Sequence, residues 1–82
     1  MKKELVKTST RFYLKDKYGK TEFYFGYKRT NQLQVVRKRG HYIGDVREIL
    51  EDGIYVSVWI LYKEAAVFIP YSEMEFIEPK KS

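Results

Sequence analysis

The sequence contains no cysteine, and only two of its 82 residues are proline. A disulfide framework and a thiolate metal site are therefore excluded, and we expect a protein of the reducing cytoplasm. The single histidine, His41, has no companions at ligand spacing, which argues against a catalytic metal. No apolar run approaches the roughly 20 residues that a membrane-spanning helix needs, so we expect no membrane contact.

Signals of catalysis are also missing. The five glycines stand singly, so there is no glycine-rich phosphate loop. A serine could be paired with His41 on paper, but no serine lies in the spacing of a nucleophile elbow. Glu73 and Glu75 could share a strand face, where an acidic edge keeps a strand soluble. We therefore predict a non-enzymatic protein with no cofactor, no catalytic residue and no metal.

Acidic residues are scarce in the first half of the chain. Residues 1–42 hold 12 Lys and Arg against three acidic residues, a net charge of +9. Residues 43–82 hold four basic and eight acidic residues, a net charge of −4, and the two halves give the overall +5. The basic half also carries five of the eight tyrosines. Cations interleaved with aromatic rings favour a polyanion with stackable bases, so nucleic acid, DNA or RNA, is the leading partner.

Alternation of polar and apolar residues over 10–29 predicts a basic N-terminal hairpin. Its apolar faces coincide if Leu14 lies opposite Phe23, a register that also pairs Phe12 with Phe25. The same register pairs Tyr13 with Tyr24 and Lys15 with Glu22, and it leaves residues 17–20 as the loop. Gly19 supplies a positive φ in that loop.

The rest of the chain also alternates. A third strand begins at Leu33, and the basic run 37–41 is interpreted as a loop or sharp bend. Residues 42–50 and 54–62 predict a second hairpin, with a left-handed Gly53 in its loop and pairs Leu50–Ile54 and Val46–Val58. A helix over 46–50 is the main competing local structure. After a turn near residues 63–64, strand 67–69 ends at Pro70, Ser72 caps one helical turn, and residues 76–77 resume extension.

About six short strands in one domain predict an all-β fold. We expect a small, strongly bent antiparallel barrel or a two-sheet sandwich, with an extra N-terminal β-hairpin. Residues 33–78 form the barrel-like core, and residues 1–5 and 79–82 are expected to fray.

The segment 36–78 carries a glycine early in a bent strand, Gly44, alternating apolar positions around an acidic turn, and a short strand, tight turn and final strand over 67–77. In these features it resembles the Sm-like small barrel of the Sm, LSm and Hfq proteins, which implies a barrel. The family's RNA-holding residues do not match, because Leu50 stands near its Asp position and residues 70–72 replace its basic pair. The family's N-terminal helix is replaced by the first hairpin. SH3-like, Tudor-like and KOW-like barrels share much of the pattern and stay open.

The outward face of the first hairpin, together with the basic run, forms the candidate binding site. Tyrosines would stack on bases while lysines and arginines contact phosphates. The alternative is that these side chains only keep an exposed sheet face soluble, or that they dock on an acidic protein partner as a small regulator or inhibitor would. The candidate nucleic-acid-binding residues are Arg11, Tyr13, Lys15, Lys17, Tyr18, Lys20, Tyr24, Lys28, Arg29, Arg37, Lys38, Arg39 and His41.

The strand that begins at Ile54 is apolar on both faces, which is typical of a central strand that is covered twice. Its second face carries Tyr55, Trp59 and Leu61. We expect the first hairpin to fold over this face, since its own phenylalanines also need burial. The alternative cover is a second subunit, which would make the protein a homo-oligomer.

Overall fold

The computed structural model describes residues 2–27 and 31–77. These residues form seven strands that lie in one antiparallel sheet of order β6-β5-β4-β3-β2-β1-β7. The all-β prediction is confirmed, and the sheet curls into a half-barrel. No helix in the described ranges is long and apolar enough to cross a membrane. The strands are β1 (Arg11–Asp16), β2 (Gly19–Tyr27), β3 (Leu33–Arg37), β4 (His41–Ile49), β5 (Gly53–Ile60), β6 (Lys63–Pro70) and β7 (Met74–Ile77), with short 3-10 helices at Lys2–Leu5 and Tyr71–Glu73.

The first hairpin is an integral part of the sheet. Strand β1 pairs with β2 on one side and with β7 on the other, and β2 continues the sheet to β3. Its apolar face lines the core because Phe12 and Phe25 are fully buried. The strands thus form one strongly bent antiparallel sheet, a half-barrel consistent with the small bent barrel that was expected, and not a two-sheet sandwich. The expected frayed segment 79–82 lies outside the described residues.

The predicted register of the first hairpin is wrong by two residues. Phe12 lies opposite Phe23, and Tyr13 lies opposite Glu22 instead of Tyr24. The turn is also shorter than predicted and consists of residues 17 and 18. Asp16 Oδ1 accepts a 2.7 Å hydrogen bond from the Tyr18 backbone N–H, which stabilises this two-residue turn. Gly19 follows with a φ of +122°, the positive φ that its position required. A slip of two residues preserves the faces, so the apolar and cationic sides are those predicted.

The second hairpin also differs from its predicted register. Ile49 pairs with Ile54 and Val46 pairs with Val56, and an extra residue, Arg47, is accommodated between them as a β-bulge. The bulge brings Glu48 to the exposed side of a face that would otherwise bury it. The competing helix over 46–50 is not formed, since β4 extends through this segment to Ile49.

Gly53 was expected to be left-handed, but its role is a close approach between strands. A Cβ atom at this position would lie 2.5 Å from the Ile69 carbonyl oxygen and 2.8 Å from Pro70 Cα. Gly53 is accordingly buried, and it pairs with Pro70 at the point where β5 begins and β6 ends. The glycine therefore serves strand packing and not the turn.

Two further local predictions are corrected around β6. The β5–β6 turn is formed by Leu61 and Tyr62, two residues earlier than expected. The single helical turn over Tyr71–Glu73 is present, but Pro70 occupies its N-cap position and no side chain caps it, so Ser72 does not. Strand β6 does end at Pro70, as predicted.

The core lies on the concave side of the curled sheet. Tyr71 anchors the 3-10 turn there, since its hydroxyl donates a 2.7 Å hydrogen bond to the Leu50 carbonyl and its backbone N–H donates to the Asp52 carbonyl at 3.0 Å. Burial raises the pKa of the Tyr71 hydroxyl, which keeps that donor protonated. The buried apolar residues are Val6, Phe12, Phe25, Val35, Val46, Ile54, Val56, Tyr71 and Met74.

The first hairpin does not cover the second apolar face of β5, contrary to expectation. Trp59 and Leu61 are exposed. Tyr55 remains partly exposed, and its ring centroid lies 5.1 Å from that of Phe68 on β6. The phenylalanines of the first hairpin are instead buried in the core described above, on the other side of the sheet.

Candidate nucleic-acid interface

The pairing of β2 with β3 brings the two cationic segments of the sequence together. Phe23 pairs with Arg37, and one residue further the Lys38 N–H donates a 3.0 Å hydrogen bond to the Glu22 carbonyl. The turn between β3 and β4 therefore lies beside the first part of β2. Between them is a groove of about 480 Å³, which we call the basic groove, lined by Lys20, Thr21, Glu22, Arg37, Lys38, Arg39 and His41.

The shape of the β3–β4 turn keeps its side chains exposed. Arg37 pairs with His41, and the Gly40 N–H donates a 2.9 Å hydrogen bond to the Arg37 carbonyl. Arg39 and Gly40 both have positive φ values, +86° and +89°, which reverse the chain within three residues. A short turn of this kind holds three consecutive cationic residues at the edge of the groove.

Glu22 is the one carboxylate of the basic groove and is largely buried. Its Oε2 lies 3.6 Å from Arg11 Nη1, and its Oε1 lies 3.7 Å from Lys38 Nζ. It thus attracts two of the candidate cations and orients them along the groove. Within residues 2–27 and 31–77, Arg37 and Arg39 form no ion pair within 4 Å, so both guanidinium groups are available to an anion.

A second recess, of about 700 Å³, adjoins the first at Lys20, and we call it the tyrosine recess. Lys20 Nζ lies 5.6 Å from the centroid of the Tyr13 ring and forms a 2.8 Å ion pair with Glu75 Oε1. Glu73 also lines this recess, so two carboxylates offset its lysines. The net positive charge of the tyrosine recess is therefore smaller than that of the basic groove. The lining residues are Lys2, Tyr13, Lys15, Lys20, Ser72, Glu73, Met74, Glu75 and Phe76.

The other candidate residues lie around these two recesses. Arg11 is connected to the basic groove through Glu22, whereas the half-buried Tyr24 lines neither recess. Lys17 and Tyr18 occupy the tip of the first hairpin, where Lys17 Nζ lies 5.0 Å from the centroid of the Tyr18 ring. Lys28 and Arg29 fall outside the described residues.

Several residues of this surface were not among the candidates. The sequence pattern assigns no neighbour to β7, so it did not show that Glu75 would lie opposite Tyr13. Tyr42, directly after the basic turn, was also missed. Its hydroxyl donates a 2.7 Å hydrogen bond to Asp45 Oδ1. Loss of hydration at the hydroxyl, together with this bond, raises the pKa of Tyr42 to about 12, so the ring is neutral over the physiological range.

The surface offers cations and aromatic rings, the two kinds of group with which proteins hold nucleic-acid strands. No family model, curated protein or solved structure shows a significant match to this chain. The geometry of the two recesses is therefore the basis on which a function is proposed below.

Proposed function

We propose that this chain is a non-enzymatic nucleic-acid-binding module of low sequence specificity, whose basic groove holds backbone phosphates. The observation that supports this most is the meeting of two cationic segments in one groove, with four Lys and Arg against a single carboxylate. Arg37 and Arg39 suit the role because a guanidinium presents paired N–H donors that match phosphate oxygens.

The tyrosine recess favours single-stranded over duplex nucleic acid as the partner. Tyr13 is half-buried, so its ring is held in place by the sheet, and Lys20 lies close enough to accompany a phosphate beside a stacked base. Stacking on a fixed ring requires an unpaired base. A curled half-barrel is also compatible with the Sm-like and SH3-like barrels that residues 36–78 resemble. The phosphate contacts proposed here lie on the β3–β4 turn, however, and not after β6.

Binding is tested by fluorescence anisotropy with labelled single-stranded DNA and RNA oligomers and a duplex, each at two salt concentrations. We expect binding at low salt and a clear loss of affinity as salt rises, because phosphate contacts release counterions. Absence of binding at low salt, or an affinity that salt does not change, would contradict the proposal. An acidic protein partner, the alternative left open by the sequence, would instead appear as a co-purifying band without a raised 260/280 nm absorbance ratio.

Stacking is tested by Tyr13→Ala. Removing one stacked ring should weaken single-stranded binding by roughly 1–3 kcal/mol and leave duplex binding nearly unchanged. The matched control is Tyr27→Ala, which removes an exposed tyrosine at the opposite end of β2 and should change neither affinity. Equal losses for single strands and duplex in the Tyr13 variant would argue against stacking, and a circular dichroism spectrum checks that the variant is folded.

A further inference from the structure

The β5–β6 hairpin carries an unusually apolar tip. Val56 in the middle of β5 is 1% exposed, but exposure reaches 65% at Trp59, 87% at Leu61 and 99% at Tyr62. Pairing between β4 and β5 ends at Gly44 and Val58, so beyond this point β6 is the only paired neighbour of β5 among the described strands. Four consecutive apolar residues, 59–62, lie at this end of the hairpin, and all four are exposed.

The turn itself is not built from residues that favour it. Leu61 has a φ of +51° and Tyr62 a φ of +66°, the left-handed pair of values that a two-residue hairpin turn with positive φ at both positions requires. Asn and Gly are preferred there, and bulky residues adopt these values with strain. Folding alone therefore does not explain why two large apolar side chains occupy the turn. Backbone strain of this kind is common at sites that bind another molecule.

Strand β6 adds a second, independent feature. Among the described residues its only hydrogen-bonded neighbour is β5, so the other side of eight residues presents unpaired backbone groups. Natural edge strands are usually protected by charged side chains, bulges or proline. Here the charged residues are confined to Lys63 and Glu64 and the proline to the last position, Pro70, so the stretch from Ala65 to Ile69 has neither protection and no bulge. The edge is open to pairing with another strand.

We propose that a second copy of this chain covers this surface, pairing along β6 and burying the side chains of Trp59, Leu61 and Tyr62. We call these three residues the β5–β6 patch. A large aromatic side chain buries roughly 150–250 Å². Two such rings supply roughly 300–500 Å², and the exposed Leu61 side chain and pairing along β6 add to this, toward the ~800 Å² per partner of a standard interface.

Charge and hydrogen bonding favour a second copy over other partners. The chain carries a net +5, so two copies repel through most contacts. The patch is bordered by Lys63 and Glu64, and the Arg47 that pairs with Glu64 also pairs with Asp45, so the charges around it cancel. A nucleic acid would find no excess of cations there. A lipid bilayer would bury the tip but leave the β6 backbone groups without partners. A twofold contact uses the same patch on both copies. It buries the apolar tip of each hairpin and gives the β6 backbone groups hydrogen-bond partners.

The test is the double variant Leu61→Asn/Tyr62→Gly, which installs the residues that this turn prefers while it removes the apolar tip. Sedimentation velocity over protein concentrations from about 1 to 100 µM should show the unmodified chain shifting from monomer to dimer. The variant should remain monomeric throughout, a loss of at least about tenfold in association. Its thermal midpoint, measured where both proteins are monomeric, should be no lower than that of the unmodified chain.

A matched control is Tyr18→Ala, which removes an exposed tyrosine at the tip of the first hairpin and should leave association unchanged. The proposal is overturned if the unmodified chain stays monomeric at the highest concentration, or if the double variant associates as strongly. It is also overturned if the unmodified chain is monomeric but binds phosphatidylserine vesicles and the double variant does not. Nucleic-acid binding is measured in a separate titration and is not required for this result.

Discussion

Replacement of Phe12 by alanine is expected to remove a large part of the stability of this domain. Phe12 has no exposed surface, and its ring centroid lies 4.9 Å from that of Phe25, 5.6 Å from Phe23 and 6.0 Å from Phe76. It thus connects three neighbouring strands, β1, β2 and β7, at one point of the core. Loss of a buried phenylalanine costs about 3–5 kcal/mol, whereas a small domain has a free energy of unfolding of only ~5–15 kcal/mol.

The measurement is thermal unfolding followed by circular dichroism. For a domain of this size each kcal/mol lowers the midpoint by roughly 4–8 °C, so the Phe12→Ala midpoint should fall by at least about 12 °C. Tyr18→Ala, which deletes an exposed ring at the tip of the same hairpin, should change the midpoint by no more than a few degrees. Similar small shifts for both variants would mean that the cluster around Phe12 is not the centre of the core.

The sequence predicted the faces of the strands better than their registers. Faces follow from an alternation of period two, and a slip of two residues leaves them unchanged, as in the β1–β2 hairpin. Register depends on details that alternation does not contain. One is the Asp16 side chain, which closes the first turn over two residues, and another is the bulge at Arg47, which returns Glu48 to the exposed side.

Contacts between distant segments were the least predictable. No pattern in β7 shows that it pairs with β1, and this pairing brings Glu75 to Lys20 and reduces the charge of the tyrosine recess. The sequence could only suggest that the basic turn lies near β2. The pairing of β2 with β3 is what brings them together. Gly53 was misinterpreted for the same reason. Its neighbours, Ile69 and Pro70, lie at the far end of the next strand along the chain and are revealed only by the β5–β6 pairing.

The exposed tip of β5 shows a different limit of prediction from the sequence. A strand that is apolar on both faces indicates burial on both sides, but it does not say whether the cover comes from the same chain. The middle of β5 is covered by this chain, as the burial of Ile54 and Val56 shows. The end that carries Trp59 is not covered by any described residue to the same degree.

The double variant Arg37→Gln/Arg39→Asn is expected to give the largest reduction in nucleic-acid binding. Both arginines are exposed and line the basic groove, and neither is paired with a carboxylate among the described residues. Asn is chosen at position 39 because it tolerates the φ of +86° found there. Affinity for single strands should fall at least about tenfold at low salt. The slope of log affinity against log salt should become shallower by ~1.4, about 0.7 for each phosphate that the protein no longer neutralises.

The control is Lys3→Gln/Lys7→Gln, which also removes two positive charges, but from residues that line neither recess and of which Lys3 is ion-paired with Glu51. If affinity depends on the basic groove, the control keeps the steeper salt slope and most of the affinity. Equal reductions in the two double variants would show that net charge alone attracts the nucleic acid. In that case the meeting of residues 37–39 with the start of β2 would have no role in binding, since a uniformly charged surface needs no groove.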